Sequence, residues 1–244
     1  MTHRKSSLTA SQMRIFERLL SFGPPSVDFP DPRKAYPEGV VAIGGRIDVP
    51  TLLAAYRLGI FPWPQDGLPL LWFCPEQRGI LEFDQIHVGK SLRKFMRQHT
   101  ELEVTVNKGF RAVIENCQRQ PRPNQNGSWI IPEMLDPYQQ LSELDYALSV
   151  EVWERFDNFK RLVGGIYGVN ILGVFSGESM FFHRSNASKV ALWHCIEHLR
   201  TLGHRWMDIQ MVTSVTESFG GRYIPRDAFL RKLAETQRNF ILSL

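Results

Sequence analysis

The chain has 244 residues, 43% of them hydrophobic and 22% charged, and includes 6 Trp and 16 Phe. That much apolar surface excludes a wholly disordered chain and suffices for one large domain or two modest ones. A net charge of +4 admits a polyanionic partner without requiring one. The 3 cysteines, Cys74, Cys117 and Cys195, lie at long spacings and encode neither a disulfide framework nor a thiolate zinc site, which fits a reducing compartment.

Residues 8–23 carry Gln12, Arg14, Glu17 and Arg18 where a secretion signal needs an unbroken apolar stretch. The longest uncharged run, 162–177, is too short for a membrane helix and rich in glycine. A cytoplasmic protein with no membrane partner is expected. Residues 9–21 read as a short amphipathic helix stopped by Gly23, Pro24 and Pro25, and 29–37 as a linker. An apolar strand over 39–45 ends in a double glycine. Asp48 and Pro50 then supply the cap and first turn of a helix over 50–58, which Gly59 stops. An aromatic loop at 60–63 leads to a strand over 70–83, bent at Pro75.

A helix over 88–99 places Lys90, Arg93, Lys94 and Arg97 beside Leu92, Phe95 and Met96. A charged face is commonly just solvated, but no acidic residue interrupts this one before Glu101, so it also suits phosphate recognition. A strand at 104–106, a helix at 109–117, a polar loop at 118–127, a helix at 132–144 and a strand at 148–153 follow. Beyond a charged hairpin loop at 155–160, two glycine-rich strands over 162–167 and 171–176 are expected to turn around Gly168 and Asn170. A helix over 186–202, a strand over 206–210, a short helix near Thr216, a turn at Gly220 and Gly221 and a helix over 226–237 complete the pattern. This order predicts an acetyltransferase-like (GNAT-like) α/β fold with a mixed sheet and a helix on each face. Fold order names no reaction.

Three stretches look over-specified for a core. Glu178 sits among Phe175, Met180, Phe181 and Phe182 at the end of a strand, where a carboxylate must be paired or functional. Alternation puts Asp208 and Gln210 on one strand face, where they can hydrogen-bond each other and polarise an attacking amine. Trp63 and Trp129, with Phe61, fall in loops and serve either as core or as a platform for a nucleobase. Other chemistries lack their residues. His194 and His198 have no acidic partner for a zinc site, Cys195 has no matched His and Asn, and no phosphate-binding glycine loop occurs.

The segments GGRIDVPTLLAAYRLGIFPW, LLWFCPEQRGIL, SWIIPEM, LVGGIYGV, FSGESMF, NASKVAL, the DxQ of MDIQ and IPRDAFL, in this order, closely resemble the leucyl/phenylalanyl-tRNA protein transferases, from about Phe29 to Ala234. The resemblance implies transfer of leucine or phenylalanine, with methionine as a further donor residue, from tRNA to the α-amino group of proteins beginning with Arg or Lys. The product enters the bacterial N-end rule degradation route. It implies an N-terminal extension over 1–28, a small domain over 29–85 and an acetyltransferase-like catalytic domain over 86–244, acting as a monomer. By position, Glu178 would bind the acceptor's N-terminus, and Asp208 and Gln210 would assist deprotonation of its amine. Trp63, Trp129, Ile166, Phe175, Met180, Leu192 and Cys195 would surround the aminoacyl adenosine, and Lys90, Arg93, Lys94 and Arg97 would hold tRNA phosphates.

An aminoacyl ester is already activated, so no cofactor, metal or covalent intermediate is expected; the enzyme must align two substrates and supply a neutral amine. The chain departs from the family pattern at Arg46, where an acidic residue is usual, at Ile209, where Cys is usual, and at Cys195, where a larger apolar residue is common. Two other readings compete. An acetyl-CoA-dependent N-acetyltransferase would need a pyrophosphate-binding turn, and Arg161 with Gly164 and Arg200 with Gly203 both lack its final small residue. A non-catalytic RNA-binding module leaves Glu178, Asp208 and Gln210 unexplained.

Overall fold

The computed structural model describes residues 23–121 and 128–243. The helix expected over 9–21 and most of the polar loop at 118–127 lie outside these residues. Four elements form the N-terminal part: β1 (Val40–Ile43), α1 (Val49–Arg57), β2 (Phe61–Pro62) and β3 (Leu71–Phe73). Helix α1 starts where expected, because Asp48 Oδ1 accepts the Thr51 backbone N–H at 3.0 Å and Pro50 occupies the first turn. It stops at Gly59, whose φ of +75° a larger residue could adopt only with strain. The three strands form an antiparallel sheet in the order β1-β3-β2.

The strand expected over 70–83 is two strands in two different sheets. Pro75 offers no backbone N–H to continue a ladder, and the chain leaves the small sheet there. Strand β4 (Gln77–Glu82) then joins the large sheet. The change of sheet thus precedes the domain boundary expected at residue 85. The large sheet is completed by β5 (Leu102–Val106), β6 (Ala147–Arg155), β7 (Lys160–Ile171), β8 (Val174–Phe182), β9 (Trp206–Gln210) and β10 (Arg222–Pro225). Its order is β10-β4-β9-β8-β7-β6-β5, and every pairing is antiparallel except β8 with β9. The fold is a mixed α/β sheet of this order covered by helices on both faces.

The helices are α2 (Lys90–Gln98), α3 (Phe110–Arg119), α4 (Pro132–Glu143), α5 (Ala187–Thr201), α6 (Ser214–Ser218) and α7 (Arg226–Ser243). Strand alternation splits the core in two. On one face Tyr167, Phe181 and Trp206 pack with Leu52 of α1, Val113 of α3, Tyr138 of α4 and Phe229 of α7. On the other, Val150, Ile166, Phe175 and Met207 pack with Leu92 of α2 and with Leu192, Cys195 and Ile196 of α5.

Two irregularities shape the middle of the sheet. The β7–β8 hairpin does not turn at Gly168 and Asn170; β7 runs on to Ile171, and Leu172 and Gly173, at φ +49° and +78°, make the turn. Two successive positive φ values match the twist of a two-residue hairpin, which the sequence disguises by placing Leu first. Gly168 instead lies within the strand, where a Cβ would fall 2.3 Å from the Ser176 carbonyl and 2.4 Å from the Phe175 ring. The register also slips: Gly168 faces Gly177 and Tyr167 faces Ser179, so Glu178 is the extra residue of a β-bulge inside β8. Gly168→Ala is expected to destabilise the fold by about 1 to 3 kcal/mol, as overpacking does. A urea melt in which the midpoint does not move would show that Phe175 can step aside.

Candidate active site

The parallel partners β8 and β9 pair only at Phe175 with Met207 and Ser176 with Asp208. Beyond that they part, and the gap holds a cavity of about 130 Å³. It is lined by Ile166, Met180, Leu192, Met207 and Ile209, by Glu178, and by Thr216 of α6 and Thr213, which caps that helix. A void of about this size in an apolar core accepts a benzene ring, so the space suits one branched or aromatic side chain.

The bulge turns Glu178 out of the strand's ordinary alternation and onto a buried polar chain. Its Oε1 accepts the Gln210 side-chain N–H at 2.7 Å, while Oε2 is buried and has no hydrogen bond of good geometry among the described residues. Burial pushes the Glu178 pKa up to about 8. The adjacent Tyr56 hydroxyl, Arg78 and the Gln210 amide pull it down, and Asp208 adds to the rise. Tyr56 of α1 and Tyr138 of α4 are joined at 2.7 Å between their hydroxyls, and burial first, then the nearby Glu178, raises both of their pKa values well above the usual phenol.

Asp208 sits one layer deeper, with every hydrogen bond directed inward. Oδ1 accepts from Arg78 Nε at 2.8 Å and from the Gln210 backbone N–H at 2.9 Å. Oδ2 accepts from an Arg78 terminal nitrogen at 2.7 Å and from Ser176 Oγ at 3.1 Å. The expected bond between the Asp208 and Gln210 side chains is therefore replaced by one to the Gln210 backbone. Gln210 has φ +57°, and this turn frees its side chain to reach Glu178. Removing one partner of such a fully buried ion pair costs about 3 to 5 kcal/mol, because the other is left uncompensated.

Sequence reasoning missed Arg78, Tyr56 and Tyr138. The only hint of Arg78 was a charge at the head of the apolar run Gly79, Ile80, Leu81; the tyrosines sit in helices among apolar residues and look like ordinary core.

The remaining residues divide. Ile166, Met180 and Leu192 line the cavity, whereas Phe175 and Cys195, also buried, do not border it. Burial pushes the Cys195 thiol pKa up, which removes it as a nucleophile. Trp63 and Trp129 stack on each other, centroids 5.5 Å apart and planes at 6°. Trp63 also lines a second cavity of about 370 Å³ with Phe61, Phe73 and Tyr223, and Met211 borders both cavities. On α2, Lys90, Arg93, Lys94 and Arg97 are exposed, and none pairs with a carboxylate among the described residues. Arg93 Nε donates to the Val88 carbonyl at 2.9 Å, which fixes one of the four. Among the described residues no helix is long and apolar enough to cross a membrane.

An apolar pocket that ends on a buried carboxyl and amide has the parts that an acyltransferase working on an amine would use. Comparison with known proteins makes this specific. Residues 80–234 match the family model for leucyl/phenylalanyl-tRNA protein transferase, and 45–76 match that for its N-terminal domain. The chain is 44% identical over 213 residues to the leucyl/phenylalanyl-tRNA–protein transferase of Oleidesulfovibrio alaskensis, covering 87% of this chain and 86% of the relative. Identity is 47% over 198 residues to that of Stutzerimonas stutzeri, covering 81% and 85%. The chain therefore belongs to the leucyl/phenylalanyl-tRNA–protein transferase family and is an aminoacyltransferase. Among solved structures, the structure of L-PGS from Bacillus licheniformis aligns at a TM-score of 0.38 and 12% identity, over 64% of this chain and 50% of that one, too distant to inform further.

The raised pKa of Glu178 couples the site to stability. A carboxyl whose pKa is higher folded than unfolded stabilises fully below the unfolded value, near 4.3, and loses that contribution as pH rises toward 8. Glu178→Gln, which imitates the protonated form, should gain on the wild type between pH 5 and 8 by up to about 1.4 kcal/mol per pH unit. Urea melts across that range measure it, and a constant difference would mean that folding does not perturb the Glu178 carboxyl.

Proposed function

We propose that this chain moves leucine or phenylalanine, with methionine as an additional donor residue, from the 3′ end of tRNA to the α-amino group of proteins beginning with Arg or Lys. It acts in the cytoplasm as a monomer, and its products enter N-end rule degradation. The observation that carries this reading is the buried Glu178 carboxyl, tied to Gln210 at 2.7 Å and set at the end of an apolar cavity sized for one side chain.

The donor side chain enters between Ile166, Met180 and Leu192, with Phe175 and Cys195 supporting the wall from behind. Its ester carbonyl is left near Glu178 and Gln210. Burial raises the proton affinity of the Glu178 carboxyl toward that of an α-amine, so its carboxylate form is a matched acceptor for the amine's proton. The nitrogen bonds to the ester carbon, the ester C–O bond breaks, and the proton lost by the amine passes through the Glu178 and Gln210 groups to the departing ribose oxygen. With its amide nitrogen committed to Glu178, Gln210 retains its carbonyl as the acceptor for an amine N–H. Asp208 acts through Gln210, whose backbone it holds.

Trp63, backed by the stacked Trp129, offers an apolar ring to the second cavity for the terminal adenosine. Lys90, Arg93, Lys94 and Arg97 hold acceptor-stem phosphates without reading sequence.

Incubation with labelled leucyl-tRNA and a protein bearing N-terminal Arg should move label to that protein, while labelled acetyl-CoA should leave no label; the reverse result would install the acetyltransferase reading. Arg93→Ala with Lys94→Ala should weaken every aminoacyl-tRNA about equally and flatten the salt dependence by about one to two units of log slope. A loss confined to one tRNA would mean base readout.

A further inference from the structure

Resting on the proposed aminoacyl transfer, we infer that Arg78 is a positioning residue for the reaction. It holds Asp208, and through it Gln210, in the one arrangement that presents Glu178 to the acceptor amine.

Arg78 stands at the head of β4, across from β9, and its side chain is only 1% exposed. A buried guanidinium needs both counter-charge and contact surface, and this one has each. Two of its nitrogens meet the two oxygens of Asp208 at 2.8 and 2.7 Å, the bidentate geometry that fixes a carboxylate in both position and rotation. Its Cζ lies over two rings, 4.6 Å from the centroid of Phe61 in β2 and 4.6 Å from that of Phe229 in α7. Burial disfavours the charged guanidinium, but the charge and hydrogen bonds of Asp208 outweigh it and raise the Arg78 pKa.

The positioning runs in a chain of contacts. The Asp208 oxygen held by Arg78 Nε is the same Oδ1 that accepts the Gln210 backbone N–H, and that bond holds Gln210 at positive φ. The Gln210 side chain then grips Glu178 Oε1. Arg78 borders neither cavity, so it touches no substrate and acts only through these residues. A lysine could supply the charge, but as a point charge it cannot make the two-pronged contact or lay a flat group on the rings.

The test begins with wild-type transfer of labelled leucine to an acceptor with N-terminal Arg; failure there refutes the aminoacyl-transfer reading and not the role of Arg78. Given that transfer, Arg78→Lys should lower kcat by about 10- to 100-fold per folded molecule, with KM for aminoacyl-tRNA and for acceptor within about threefold of wild type. Combining Arg78→Lys with Asp208→Asn should cost no more than Asp208→Asn alone, because both changes break one unit. A wild-type kcat in Arg78→Lys, a loss that appears only in KM, or losses that multiply in the double variant would each overturn the inference. Should Arg78→Lys not fold, Phe229→Leu, which removes one of the two rings under the guanidinium and leaves the ion pair, carries the same test. A kcat lowered by about threefold or more at unchanged KM supports the inference, and an unchanged kcat overturns it.

Discussion

The ion pair between Arg78 and Asp208 is the contact on which the centre of this molecule depends. It joins β4 to β9 beside the point where β8 and β9 separate, and it neutralises the charges that make the separation expensive. A parallel pair that stops after two residues leaves polar groups and an unfilled gap, and such a gap persists only if its edges are held by something other than the ladder. Here the edges are held by charge on one side and by the Gln210–Glu178 bond on the other. The apolar cavity is what remains between them.

The bulge at Glu178 and the positive φ of Gln210 belong to the same solution. In a regular sheet, residues on neighbouring strands present side chains at fixed alternate positions, and Glu178 and Gln210 would meet only if their registers happened to agree. One extra residue in β8 and one left-handed residue at the end of β9 remove that restriction. Each irregularity is held by a side-chain bond, so neither is a loose end of its strand. Tyr56 and Tyr138 close the third side, which keeps water away from a carboxyl whose proton affinity depends on its absence.

Much of this was legible in the sequence. The cap at Asp48, the stop at Gly59 and the basic face of α2 depend on neighbours within a few residues, and local chemistry is what a sequence displays. The DxQ pair and the glutamate among aromatics stood out because charges in apolar surroundings demand an explanation. What was not legible depends on distance along the chain. Pro75 looked like a bend in one strand, since nothing local says that its two sides join different sheets. Leu172 at a positive φ defied the expectation that glycine and asparagine mark the turn, and Gly168 was present for closeness to Phe175 instead. Arg78 could not be recognised as the partner of Asp208, because 130 positions separate the two. Cys195 shares a helix with Leu192 yet does not border the cavity, a difference of one turn that only packing decides.

The packing around Arg78 also draws on residues made far apart in time during synthesis. Phe61, Arg78, Asp208 and Phe229 are made in that order, and the guanidinium is enclosed only when the last of them has docked. Until then a ribosome-bound chain carries an arginine without its aromatic covers and an aspartate on an unfinished sheet. A chain that ends before Phe229 therefore lacks one of the two rings that cover the guanidinium, however well its sheet has formed.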